Sequence, residues 1–95
     1  MRVRGRVDRN QPEIVRALRQ IGASVQSLAD VGQGCPDLLV AFRGKTLLME
    51  VKDGLLPPSQ KRLTEDEQIW HKTWQAPVLV VESVQDALKF VSSIS

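Results

Sequence analysis

Pro36-Asp37-Leu38-Leu39-Val40-Ala41-Phe42-Arg43-Gly44-Lys45-Thr46-Leu47-Leu48-Met49-Glu50-Val51-Lys52 is the stretch whose reading decides the fold. Two runs of strand formers flank Arg43-Gly44, the composition of a β-hairpin. A two-residue turn needs positive φ, which Gly44 supplies at no steric cost, and it pairs Phe42 with Lys45. Counting outward pairs Asp37 with Glu50. Directly opposed residues project from one face with Cβ atoms about 4.5–5.5 Å apart, and the alternation of a strand puts Lys52 on that face too. Two acids and an ammonium group converge at the open end of the hairpin.

Opposed like charges destabilise a sheet, so the carboxylate pair requires a cation, either Lys52 or a metal ion. Mg²⁺ suits the place: it takes oxygen ligands and is usually held by one or two carboxylates plus waters and substrate phosphates. The competing reading makes Glu50 and Lys52 an ordinary edge-strand ion pair and Asp37 a turn residue after Pro36. On the other face of the hairpin Leu38, Val40, Phe42, Leu47, Met49 and Val51 must pack against a core. The acid-bearing face also carries Leu39, Ala41 and Leu48, which makes the hairpin central in its sheet.

Composition bounds the remainder. Ninety-five residues suit one domain, 1–95, with 1–9 a basic N-terminal segment. A hydrophobic content of 42% and a charged content of 25% are ordinary for a globular chain, and no apolar run approaches a membrane span. The basic N-terminus lacks the apolar stretch of a secretory signal. One cysteine, Cys35, cannot form an internal disulfide, in keeping with a cytoplasmic setting, and between Gly34 and Pro36 it reads as a small turn residue rather than a nucleophile. The net charge of +2 is mild but unevenly placed: Arg2, Arg4, Arg6 and Arg9 crowd the N-terminus, and Lys61 and Arg62 follow a Pro-rich loop. Such clusters are either a footprint for nucleic-acid phosphates or solvated surface.

Along the chain, Asn10 with Glu13 three positions on has capping-box spacing before Ile14, Val15, Leu18 and Ile21, an amphipathic helix that ends at Gly22. Residues 23–28 read as a strand, and 30–34 as a loop whose glycines, Gly32 and Gly34, permit close backbone approach to a ligand. After the hairpin, residues 53–63 read as a long exposed connection. Thr64 and Glu67 form a capping box for a helix bearing Ile69, Trp70 and Trp74, which Pro77 terminates. Trp70 and Trp74, four apart, are either core or a contact with a partner. Val78 to Val81 read as a buried strand, and Ser83 caps a last helix. The order is α-β-β-β-α-β-α, which implies a central mixed sheet with helices on both faces.

With Gly34-Cys35-Pro36-Asp37, then Glu50-Val51-Lys52, then Gln68, this order resembles the PD-(D/E)xK nuclease superfamily and, within it, a stand-alone VRR-NUC (virus-type replication-repair nuclease) domain of phages and bacteria. The resemblance runs from Asn10 to about Val91. It implies a restriction-endonuclease-like α/β fold and a metal-dependent DNA endonuclease of Holliday-junction-resolvase-like selectivity, acting in replication, recombination or repair. By resemblance Asp37, Glu50 and the main-chain carbonyl of Val51 hold Mg²⁺ or Mn²⁺, and Lys52 orients or deprotonates the attacking water and stabilises charge on the phosphate. Glu13 supports the metal site, with a capping acid as the alternative, and Gln68 positions site or substrate. Arg2, Arg4, Arg6, Gly34, Lys61 and Arg62 are the expected DNA contacts, the partners being branched or duplex DNA and a second copy of the chain.

Overall fold

Arg43 and Gly44 both adopt positive φ, 51° and 80°, the backbone of a type I′ turn whose twist matches that of its strands. Around it Leu38–Phe42 (β2) and Lys45–Val51 (β3) pair antiparallel, from Phe42 opposite Lys45 to Leu38 opposite Met49. The register is the one the turn dictates. The computed structural model describes residues 8–93; the arginines at 2, 4 and 6 lie outside the described residues.

Ser24–Ser27 (β1) adds antiparallel to β2, and Val78–Val81 (β4) adds parallel to β3, giving a four-stranded sheet in the order β1-β2-β3-β4. A parallel neighbour cannot be reached by a tight turn. The crossover from β3 to β4 contains Pro58–Lys61 (α2) and Glu65–Thr73 (α3). The short α2 lies inside the stretch expected to be a plain exposed connection: Pro57 and Pro58 preset the φ that starts a helix, and one turn follows.

Gln11–Gln20 (α1) and Val84–Ser93 (α4) pack on each other and on one face of the sheet. There Ile14, Leu18, Leu38, Val40, Met49, Val51, Val81, Ala87 and Val91 form one buried cluster, with Phe42 and Leu47 partly buried against it. This is the apolar hairpin face of the sequence. The opposite face carries Leu39, Leu48 and Glu50 and is covered by α3, none of whose residues is fully buried.

The start of α1 differs from expectation. Asn10 makes no side-chain cap; its Nδ2 donates instead to the main-chain carbonyls of Lys52 and Glu82, each at 3.1 Å. It ties the helix to the ends of β3 and β4, which are far away in sequence. The capping box of α3 is present as read, with Glu67 N–H donating to Thr64 Oγ1 at 3.2 Å and Thr64 N–H to Glu67 Oε1 at 2.8 Å.

Candidate active site

At the open mouth of the hairpin a cleft of about 520 Å³ is lined by Asp37, Glu50, Lys52, Glu67, Asp8 and Arg62, among others. Asp37, one residue before β2, is fixed by the Val51 N–H, which donates to its Oδ2 at 2.7 Å. That bond replaces the ladder pairing the strand gives up there. Glu50, inside β3, is only 2% exposed. It is among the largest fully buried side chains of the domain, a place charged residues seldom occupy unpaired.

Burial pushes the Glu50 carboxyl up, and a hydrogen bond to Asp37 together with the Asp37 charge pushes it further, to about 10. Two carboxylates within hydrogen-bond reach cannot both stay ionised without a cation. Its second contact is His71 on α3, whose Nε2 lies 3.2 Å from Glu50 Oε1. Burial lowers the His71 pKa below its ordinary value, against the pull of Glu67. The imidazole is therefore neutral at pH 7, and the contact is a hydrogen bond rather than an ion pair.

Lys52 Nζ donates to Glu67 Oε1 at 2.8 Å. Burial works to lower the Lys52 pKa, but the Glu67 hydrogen bond and charge prevail and raise it. For Glu67, burial pulls upward while the bonds from Lys52 and Thr64 N–H win and hold it low. Both partners are ionised. A lysine held in that state is suited to stabilising charge on a phosphate, one of the roles the resemblance implies for Lys52. Asp8 is a fourth acid of the cleft, after Asp37, Glu50 and Glu67; burial and then the neighbouring Asp37 raise its pKa.

The remaining expected site residues fall elsewhere. Glu13 is exposed and lines a neighbouring cleft with Arg9, Asp53 and Glu82. Asn10 is turned toward β3 and β4 rather than capping, and the structure brings Asp8, not Glu13, to the acid pair. Gln68 is exposed, donates to the Leu63 carbonyl at 3.0 Å and is not among the residues lining the cleft, where its neighbour Glu67 stands. Gly34, with φ 84°, packs against α3, where a Cβ would collide with the main chain of Asp66. Its close approach is to the main chain of α3. Lys61 pairs with Glu82 at 3.0 Å, while Arg62 is exposed at the cleft. Burial raises the Cys35 thiol, helped by Glu50 and Asp37, which leaves it un-ionised and a weak nucleophile.

Glu67, His71 and Asp8 were missed as site residues. The signal for the first two was the capping box: once Thr64 is the N-cap, the phase of α3 is set, and residues 67 and 71 share a face that 68 does not. Asp8 precedes the helix and carries no periodic signal.

The donor set fits a hard divalent cation. Asp37 and Glu50 offer carboxyl oxygens to one point, and with no positive charge between them Glu50 holds a proton. Among the described residues no three His, Cys, Asp or Glu side chains form a metal cage. Along α3, Trp70 and Trp74 stack at 4.6 Å over an apolar groove of about 680 Å³ that includes Leu39, Leu48 and Cys35. Among the described residues no helix is long and apolar enough to cross a membrane.

A solved structure described as "VRR_NUC domain" is similar to this chain, with 30% sequence identity over 92% of this chain and 95% of that one and a TM-score of 0.61. No protein-family model matches the chain, and no curated protein does.

Proposed function

We propose, on the premise that the chain belongs to the VRR-NUC family of nuclease domains, that it is a divalent-metal-dependent endonuclease hydrolysing DNA phosphodiesters. The observation that carries this reading is the buried Glu50 carboxyl facing Asp37, with Lys52 on the same rim of one cleft. Asp37, Glu50 and the Val51 carbonyl would hold Mg²⁺ or Mn²⁺. Such an ion supplies Lewis-acid polarisation of the phosphate and lowers the pKa of a bound water.

The chain's own groups do the rest. Asp37 is locked by the Val51 N–H, so its free oxygen is already aimed when substrate arrives and needs no reorganisation. Lys52, an ammonium in a partly desolvated cleft, stabilises negative charge developing on the phosphate oxygens, where a preoriented cation acts more strongly than in water. Arg62 on the rim binds the sugar-phosphate backbone, as do Arg2, Arg4 and Arg6, in sequence-blind contacts.

Selectivity for branched DNA follows from a symmetric dimer, in which two clefts face two strands. The support is the groove beneath Trp70 and Trp74: Trp74 is 48% exposed and Leu39 36%, an apolar surface of the kind interfaces enrich, and a two-fold axis would pair it with itself. The test is nicking of supercoiled plasmid and of linear, flap and four-way DNA with Mg²⁺, with Mn²⁺ and with chelator. Cleavage surviving in chelator, or in Asp37→Asn and Glu50→Gln, overturns the assignment. A monomer by light scattering in the presence of DNA overturns the dimer alone.

A further inference from the structure

Four residues along an α-helix advance about 6 Å, and two residues along a β-strand about 6.6 Å. Glu67 and His71 stand four apart on α3; Glu50 and Lys52 stand two apart on β3 and share a face. The two spacings match. Glu67 Oε1 meets Lys52 Nζ at 2.8 Å and His71 Nε2 meets Glu50 Oε1 at 3.2 Å, so the helix runs antiparallel to the strand and contacts its two working side chains in one step.

We propose that α3 is a two-point clamp in which Glu67 and His71 are positioning residues, the first for Lys52 and the second for Glu50. The proposal rests on the hydrolytic reading of the cleft and adds to it how the cleft is held. His71 engages one oxygen of the Glu50 carboxyl and so fixes the plane in which the group faces Asp37. A hydrogen bond from outside the ligand set to a ligating carboxylate orients that ligand. Glu67 uses one oxygen for two donors, Lys52 Nζ and Thr64 N–H. The capping bond that starts the helix and the ion pair that aims the lysine therefore share an atom, and the start of the helix cannot shift without releasing the lysine. Gly34 closes the arrangement from the other side by letting its loop lie on the main chain of Asp66.

Four variants of the full chain test the clamp: His71→Leu, His71→Gln, Glu67→Ala and Glu67→Gln. Mn²⁺ affinity is measured by calorimetry, cleavage of supercoiled plasmid as separate kcat and KM, and folding by thermal melt. His71→Leu is expected to weaken Mn²⁺ binding by about 10-fold or more, the scale of lost support for a metal ligand, and to regain turnover at saturating Mn²⁺. His71→Gln, which keeps an N–H donor, recovers most of that affinity. Glu67→Ala lowers kcat with Mn²⁺ affinity unchanged, and Glu67→Gln, which keeps an acceptor for both donors, restores it. Wild-type Mn²⁺ affinity in His71→Leu, or wild-type kcat in Glu67→Ala, overturns the clamp. So do losses that track the unfolded fraction in all four variants, since that would make both residues mere packing. A wild-type chain that neither binds Mn²⁺ nor cleaves removes the hydrolytic reading itself, and the clamp with it; a wild-type chain that does both, with variants unaffected, removes the clamp alone.

Discussion

The two faces of the sheet differ in kind. On one, α1 and α4 close over Ile14, Leu18, Met49, Val51, Val81 and Val91, all at most 1% exposed, with only apolar side chains in the cluster. On the other, α3 has no fully buried residue, a groove runs beneath its tryptophans, and the most buried side chain on β3's side of the contact is an acid. Close packing supplies stability on the first face; on the second, space and unrelieved charge are what a ligand can use. Glu50 lies at the boundary, held in a core-like place without a core-like side chain.

The comparison breaks if activity and stability do not separate, and the sharpest break would come from Asp37→Asn. Its amide oxygen still accepts the Val51 N–H, so the fold stays. Cleavage is expected to fall ~10³-fold or more, the scale on which loss of one preoriented electrostatic group acts. Without metal the variant should melt close to wild type, because Glu50 already carries a proton beside Asp37 and the asparagine oxygen keeps the Val51 N–H; plasmid nicking and a melt in chelator read both halves. The mirror experiment is Leu18→Ala, expected to cost about 2–5 kcal/mol by urea titration, as buried leucine truncations do. The activity per folded molecule should be unchanged. A specific loss of turnover there would show that the closed face also tunes chemistry.

A third test uses pH. An ordinary glutamate ionises near 4.5, whereas folded Glu50 keeps its proton to about 10. The folded state thus binds a proton the unfolded chain has released, so this contribution is whole below about 4.5 and disappears as pH climbs toward 10. The melting temperature in chelator should drop across that window. Glu50→Gln should flatten the slope, and Mn²⁺ should offset it; an equally steep slope in the variant would assign it to other groups. The smallest effect is that of Trp74→Ala, about 1 kcal/mol from lost stacking on Trp70, and its main expected consequence is a lower molar mass by light scattering. Retained mass would leave the groove without that role.

What was legible in the sequence was local. The hairpin register followed from two residues, Arg43 and Gly44, because a two-residue turn admits one pairing, and the alternation of Leu38, Val40, Met49 and Val51 named the core face before any coordinate did. Thr64 and Glu67 announced their helix through a box contained within four residues. The misreadings came where a residue answers to distant partners. Asn10 has the composition of a cap, yet two main-chain carbonyls on β3 and β4 hold it, and nothing nearby in sequence encodes them. Glu13, three residues on, lines another cleft. Gln68 and Glu67 are neighbours in sequence, but on a helix one residue is about 100° of rotation, and it is Glu67 that lines the cleft.

The parallel pairing of β4 with β3 sets the order in which this domain can assemble. A hairpin closes within about 1–10 μs, so Asp37 and Glu50 meet early, while still hydrated, where two charges about 4 Å apart cost only about 1 kcal/mol. Docking of α3 and β4 must wait for the long connection from Lys52 to Pro77 to close, and only then is water driven from Glu50. The repulsion stays small during the search for the topology, and at the last step burial makes Glu50 take up a proton. A chain interrupted before that step would hold its acid pair open to solvent, and a divalent ion present at that moment would act on the folding rate as well as on the finished site.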